Sequence, residues 1–323
     1  MKSIFYIGIA LLLDFFIADP YSWPHPVKIM GNYIYWFQNK FVRQDYCSKK
    51  MRFLGLILWL TTVALSGLVT YVLLLIAYKI NIYIGALVYV YLSYTTLSIK
   101  GLANEGKKVY DSLINKTLSE SRRQVGMIVG RDTSQLTRKE IINATIETIA
   151  ENTSDGGIAP LMYLFIGGPI LAMVYKAINT LDSMVGYTTP KYIDLGFISA
   201  KVDDFANYIP ARLTLIFMIC ASYIMELDYK NCVRIGFRDC RKHKSPNSGY
   251  PEAAVAGVLG IQLGGSHVYH GVEIYKPYIG DDIRNVESSD ILKTNKILYL
   301  SVIISFFIFG LLKTMIIMIN CFI

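Results

Sequence analysis

Long apolar stretches separated by polar ones dominate the pattern of the chain. Residues 53–78 are 26 positions without a charge, and residues 80–99 form a second uncharged run just beyond Lys79. At about 1.5 Å of rise per residue, a helix of that first length outspans a hydrocarbon core of about 30 Å and crosses it with tilt. The two runs predict a transmembrane hairpin. A third apolar run, 297–319, is interrupted only by Lys313, a residue whose long stem can snorkel. Residues 3–19 predict a further span, with Asp14 inside it. A carboxylate at membrane depth is costly and hints at function by default. Lys2 and the apolar run behind it resemble a signal peptide, but Phe16-Ile-Ala18 is a poor cleavage site, so the segment is expected to stay. Residues 158–175 are broken by Gly167, Gly168 and Pro169, and residues 205–225 hold only a short apolar run after Pro210. Both predict broken or re-entrant helices, which survive where they are buried in protein or line a cavity. The pattern predicts an all-α fold: a polytopic integral membrane helical bundle with four spans, six if the broken segments cross, plus helical segments outside the bilayer. A single membrane-embedded domain over residues 1–323 is expected.

Composition agrees with that picture. Apolar residues make up 53% and charged residues 17%, against about 25% charged in a soluble domain. This excludes a disordered chain, a coiled coil and a basic domain that coats nucleic acid. The formal charge of +8, from 32 basic and 24 acidic residues, then reports orientation. Residues 20–52 hold six basic residues and one acidic residue, and most of the remaining charge lies in 101–157 and 226–296. The positive-inside rule puts all three segments in the cytoplasm and both termini outside. A multi-pass protein of the cell membrane, its site open to the cytoplasm, is expected. Five cysteines without a CxxC pair argue against a disulfide framework or a zinc ribbon. His267 and His270 are three apart, but the glycines around them favour a loop over a metal-binding helix face.

Several polar clusters have no structural need in a membrane bundle. Thr137-Arg-Lys-Glu140 is a capping box that opens a helix. On that helix Ile142, Ile146 and Ile149 share one face, while Glu140, Asn143, Glu147 and Glu151 share the other, which by periodicity alone reads equally well as a solvated face. If the helix persists, Glu147, Glu151 and Asp155 make a carboxylate ridge. Farther on, Lys176, Asn179 and Ser183 share a face beside Asp182, and Asp203 and Asn207 are four apart. Hard oxygen ligands of this kind suit magnesium, which keeps waters and bridges phosphates, so Glu147, Glu151, Asp155 and Asp182 are the candidate ligands. Arg131, Lys176 and Arg212 are the candidate phosphate holders, arginine by its planar fork. Ser245-Pro-Asn-Ser-Gly-Tyr-Pro-Glu252 predicts a rigid turn into a helix whose N-terminus suits an anion. Gly101-Leu-Ala-Asn-Glu-Gly-Lys-Lys108 approaches a P-loop but lacks the Ser or Thr for magnesium, and it follows a membrane run instead of a strand.

Together these motifs resemble the adenosylcobinamide-phosphate synthase family of cobalamin biosynthesis, the CobD/CbiB family, nearly end to end. The resemblance is carried by Asp19-Pro20, by Pro24-His-Pro-Val27 and by Val125-Gly-Met-Ile-Val-Gly-Arg-Asp-Thr133. It continues through Glu151-Asn152, Asp155-Gly156 and Tyr175-Lys-Ala-Ile-Asn-Thr-Leu-Asp-Ser-Met-Val-Gly-Tyr187. Asp203-Asp204, Ala206-Asn-Tyr-Ile-Pro-Ala-Arg-Leu213, Ser245-Pro-Asn-Ser-Gly249, Pro251-Glu-Ala253 and Lys276-Pro277 complete it. It implies an ATP- and Mg2+-dependent synthase. The enzyme would join the free propionate of adenosylcobyric acid to (R)-1-amino-2-propanol, its O-phosphate or a related amino-alcohol, giving adenosylcobinamide or its phosphate. The corrinoid is then substrate, not cofactor. A carboxylate needs a leaving group before an amine can displace it, and phosphorylation supplies one. Glu147, Glu151, Asp182 and Asp203 are the catalytic candidates, and the sequence does not choose a base among them. The candidate binding residues are His25, Arg131, Asp132, Thr133, Lys176, Asn179, Ser183, Asn207, Arg212, Ser245, Asn247 and Glu252. Membrane lipid surrounds such a protein, no nucleic acid is expected, and a homo-oligomer or a complex with other late corrinoid enzymes is compatible. The rival readings are a membrane transporter, which broken helices with buried charge also suit, and a non-catalytic scaffold for late corrinoid enzymes. The few spans, the lack of a repeat and the large polar segments weigh against transport.

Overall fold

The computed structural model describes residues 2–18, 24–43, 45–187, 189–269 and 272–322. In chain order the helices are α1 (Lys2–Ile17), α2 (Pro26–Phe41), α3 (Ser48–Ile80), α4 (Ile82–Tyr94), α5 (Ile99–Asn115), α6 (Leu118–Val125) and α7 (Arg138–Thr153). A π-helical turn, Ser154–Ile158, leads to α8 (Ala159–Val185), α9 (Phe197–Ala206), α10 (Tyr208–Ile224), α11 (Tyr229–Asp239) and α12 (Gly249–Leu259). Strands β1 (Leu263–Tyr269) and β2 (Val272–Ile279) precede the last helix, α13 (Ser289–Phe322). Four helical stretches are long and apolar enough to cross a membrane: Ser48–Ile80, Ile82–Asn115, Arg138–Val185 and Ser289–Asn320. The broken pair α9 and α10 makes a fifth if counted as one span. The expected helical membrane architecture therefore stands. In α3 only 22% of the most apolar window is buried, so most of that helix offers its side chains to lipid.

Two details differ from the sequence reading. Helix α1 has 16 residues, roughly 24 Å, which is short of a hydrocarbon core. The stretch around His267, expected as a loop, lies in an antiparallel hairpin that pairs Leu263 with Ile279 and Gly265 with Lys276. Val268, Tyr269, Val272, Ile274 and Tyr275 supply the β-branched and aromatic content that favours strands. His270, three residues from His267, lies outside the described residues, as does Asp19.

The chain divides into two compact units. The first comprises Met1–Ser98, Ala159–Asn207 and Phe309–Ile323. Its core is helical packing: Ile34 and Phe37 of α2, Met51 and Leu58 of α3, and Leu181 and Val185 of α8 form one buried cluster. Helix α8 breaks where the sequence predicted. Gly168 adopts φ 64° and ψ −162°, a conformation essentially reserved for glycine, and Pro169 follows it.

The second unit comprises Ile99–Ile158 and Tyr208–Ile308. The predicted capping box opens α7: the Thr137 hydroxyl accepts from the Glu140 N–H, and the Glu140 carboxylate accepts from the Thr137 N–H at 2.7 Å. The helix is not solvated on its polar side, because Asn143 and Glu147 are buried along with Ile142, Ile146 and Ile149. At its end Asp155-Gly-Gly157 widens the backbone into the π turn, so the i, i+4 register that would extend the ridge to Asp155 is lost. Helix α12 carries Pro251 in its first turn and stops at Gly260, which takes the left-handed φ of 64°. It lies tight against α11, where the Asn231 side chain donates to the Gly257 carbonyl at 2.6 Å and a Cβ at Gly257 would collide with the α11 backbone. The segment Gly101 to Lys108 is part of α5, with Lys107 paired to Asp111 and Lys108 to Glu105, so it is a helix and not a phosphate loop.

Candidate active site

Within the second unit, four segments distant in sequence converge on one cavity. Its walls are Ile128 to Arg131 from the α6–α7 connection, Glu147, Thr148, Glu151 and Asn152 from α7, Glu252 from α12 and Lys276 from β2. About 450 Å3 of empty space, open solvent at the mouth included, suits a small ligand or the reacting end of a large one.

Arg131 and Glu147 form a buried ion pair, with side chains 5% and 3% exposed. The other Glu147 oxygen accepts from the Gly264 N–H of β1 at 3.0 Å, which ties the hairpin to α7. One turn along α7, Glu151 accepts from the Ser248 hydroxyl at 2.7 Å. Ser248 is the N-cap residue of α12 yet makes no side-chain cap of its own helix; its hydroxyl holds the catalytic candidate instead. Ser245 shapes this turn, its hydroxyl accepting from the N–H groups of Asn247 and Ser248.

Glu252, 2% exposed, lines the same cavity, and its Oε1 has no hydrogen-bond partner. Burial first, and then the charges of Glu147 and Glu151, push its carboxyl well above the usual range, although Lys276 pulls the other way. The Nε2 of His243 stands 3.8 Å from that oxygen. The His243 Nδ1 accepts from the Ser245 N–H at 3.0 Å, so in the neutral ring the proton sits on Nε2, facing Glu252. Burial and, after it, the Lys276 charge hold His243 below its usual pKa, which favours that neutral ring. Neither His243 nor Lys276 was among the sequence candidates. The Lys276-Pro277 motif contained a signal for the lysine; His243, inside Lys242-His-Lys244, carried none.

The remaining candidates divide between the units. In the second unit, Arg212 stacks on the rings of Tyr208 and Tyr250 and donates to Asn247 at 3.2 Å, bracing the Ser245 turn. Asp132 is exposed and caps the Ser134 N–H; that bond holds its carboxyl below the usual range. Asp132, Thr133 and Asp155 are not among the cavity walls. In the first unit, the Tyr175 hydroxyl donates to Asn207 at 2.8 Å, Asn207 donates to Asp203 at 3.0 Å, and Asn179 reaches the other Asp203 oxygen at 3.5 Å. Lys176, Asp182 and Ser183 lie on α8 in that unit. His25 caps α2 by accepting from the Val27 N–H at 3.3 Å. Among the described residues no group of three or more His, Cys, Asp or Glu side chains is placed to hold a metal ion. A magnesium ion needs no such cage, because one or two carboxylates and substrate phosphates suffice.

Membrane-length helices and a solvent-open cavity walled by charge define a polytopic membrane protein with an enzyme-like site. Comparison with known sequences makes this specific. Residues 7–298 match the family model described as CobD/Cbib protein. The chain is 56% identical over 305 residues to the "Cobalamin biosynthesis protein CobD" of Streptococcus sanguinis strain SK36, covering 94% of this chain and 96% of that one. It is 49% identical over 310 residues to the protein of the same description from Listeria monocytogenes strain F2365, covering 96% and 98%. It is also 45% identical over 295 residues to the "Cobalamin biosynthesis protein CbiB" of Salmonella typhi, covering 91% and 92%. No solved structure matches. The chain belongs to the CobD/CbiB family, and membership implies an enzymatic role in cobalamin synthesis with corrinoid substrates.

Proposed function

We propose that this chain is the amide-forming synthase of that family: it joins the free propionate of adenosylcobyric acid to (R)-1-amino-2-propanol or its O-phosphate, using ATP to activate the carboxylate. The observation that supports it most is the convergence of Arg131, Lys276, Glu147, Glu151 and Glu252 on one cavity. The propionate oxygen attacks the terminal phosphorus of ATP and ADP leaves. The amine nitrogen then attacks the acyl carbon, and phosphate leaves as the amide forms.

Arg131 and Lys276 neutralise the oxygens of the transferring phosphoryl group. Glu147, bonded through both oxygens, holds Arg131 in place. Glu252 takes the amine proton: its Oε1 lacks an internal partner, and its raised proton affinity brings it closer to that of an amine. Glu151 is the carboxylate that would hold a magnesium ion, which when bound would supply positive charge against the transferring phosphoryl group. Asp182 and Asp203 remain the other catalytic candidates; unchanged product from a folded Asp182→Ala protein would remove Asp182. The positive-inside pattern supports a cytoplasmic mouth, which an impermeant thiol reagent tests through Met127→Cys.

The decisive assay uses protein purified in detergent or nanodiscs. Adenosylcobyric acid, aminopropanol phosphate and Mg-ATP are supplied, and mass spectrometry looks for the amide. Product without a second protein, lost in Glu252→Gln and Arg131→Met, is expected. Absence of product together with corrinoid flux into liposomes would replace the synthase by a transporter.

A further inference from the structure

His243 stands in the turn between α11 and α12 and has no part in the reaction as assigned above. It is not among the residues that line the cavity, and its side chain is 12% exposed. Close contacts fix its place. The Ser245 N–H donates to Nδ1 at 3.0 Å. Gly249 opens α12 so near this turn that a Cβ there would collide with the Cys240 carbonyl and meet the His243 Cβ at 3.1 Å. The ring is therefore held against the first turn of the helix that carries Glu252.

A ring held this way has one chemical role left. The lone pair of Nδ1 is taken by a backbone N–H, a group that can only donate. A proton on Nδ1 would set one N–H against another, so the ring carries its proton on Nε2. It cannot collect a second proton without giving up Ser245, which makes it a donor and not a base. Nε2 faces Glu252 Oε1 at 3.8 Å, a buried atom with no hydrogen-bond partner. A shift of about 1 Å closes that gap, and catalytic hydrogen bonds often tighten only when substrate is bound. The charges of Lys276, Glu151 and Glu147 also reach the ring. Both of these other acids have donors already: Arg131 and the Gly264 N–H for Glu147, the Ser248 hydroxyl for Glu151. Burial disfavours a charge on Glu252, and a donor at Oε1 is what offsets such a cost.

We propose that His243 is the positioning residue of Glu252: its Nε2–H binds the Glu252 carboxylate, favours the charged form and holds it toward the amine. This rests on the part given to Glu252 in amide formation. The proton that leaves the amine nitrogen goes to Glu252, and the imidazole keeps its own throughout.

The test uses the full-length protein in nanodiscs. His243→Leu removes the donor, and His243→Gln puts an amide N–H at about the reach of Nε2. His243→Leu is expected to lower kcat by about tenfold to a hundredfold, the worth of a hydrogen bond to a charged group, with KM for the amine and for ATP unchanged. His243→Gln is expected to recover most of that loss. An unchanged kcat, a loss that His243→Gln does not recover, or a KM that rises as kcat falls would overturn the proposal. Ring nitrogens are read separately, without substrate, by magic-angle-spinning NMR of protein with isotope-labelled histidine, the His243 signals being assigned by their loss in His243→Gln. The Nε2–H tautomer is expected, with the Nε2 signal moving in Glu252→Gln and the Nδ1 signal staying. An imidazolium or Nδ1–H form at neutral pH, or an Nε2 signal indifferent to Glu252→Gln, overturns the proposal even where amide is made. A parent protein that makes no amide overturns the proposed reaction instead, and the NMR result still decides the contact.

Discussion

Replacing Arg131 by methionine keeps side-chain bulk and removes the charge that faces Glu147. Both partners are at least 95% buried by side chain, so solvent screens the pair little. Breaking a buried pair from one side leaves an uncompensated charge and costs about 3–5 kcal/mol. The Gly264 N–H still binds the stranded carboxylate, and protonation relieves it further, so the low end of that range is expected. For a chain of 323 residues that corresponds to a midpoint lower by roughly 4–6 °C in thermal unfolding. The same measurement on Glu147→Gln and on the double variant Arg131→Met/Glu147→Gln closes a cycle. The double variant strands no charge, so it should lose less than Arg131→Met alone. Its stability should return in part while amide formation stays absent, which separates the fold from the chemistry. If Arg131→Met costs under about 1 kcal/mol, as exposed pairs do, or if the two losses simply add, the reasoning from burial is refuted.

Three further outcomes follow. Glu252 has a folded-state pKa above its unfolded one, so the unfolded chain releases its proton first and stability falls as pH rises from about 4.5 until the folded carboxyl ionises. Glu252→Gln should remove that decline, gaining on the parent in midpoint as pH rises while losing product formation; a gap that does not grow with pH contradicts it. Ser248→Ala deletes the bond to Glu151, and should cost about 1.5 kcal/mol and on the order of tenfold in turnover, read by initial rates and thermal midpoint. Gly168→Ala forces a Cβ into a conformation that costs of order 1–3 kcal/mol, so a lower midpoint in detergent is expected, and no change would argue against the break in α8.

Much of this was legible because hydrophobic length and local capping are written in short windows. The long apolar runs that became α3, α4 and α13 announce themselves, and so do Thr137 with Glu140 and the break at Gly167 and Gly168. The pairing of Glu147 with Glu151 followed from one helical turn. What stayed hidden depends on distant segments. Nothing near Arg131 says that Glu147 will bury against it, and nothing near Ser248 says that its hydroxyl will serve α7 in place of its own helix. The hairpin was masked by Gly264 and Gly265, whose local preference is for turns, and with it went the path of Lys276 into the cavity. The residues gathered as one list of candidates are in fact held by two different units, a division that no window of sequence displays.

The cavity is completed by the hairpin, the last of its walls to leave the ribosome. Until Gly264 and Lys276 emerge, Glu147 and Glu252 have already been made but lack part of their setting. The nascent chain must therefore keep these acids in water while the neighbouring apolar segments partition into the bilayer. A chain truncated before the hairpin would therefore lack both the Gly264 bond to Glu147 and the Lys276 wall of the cavity.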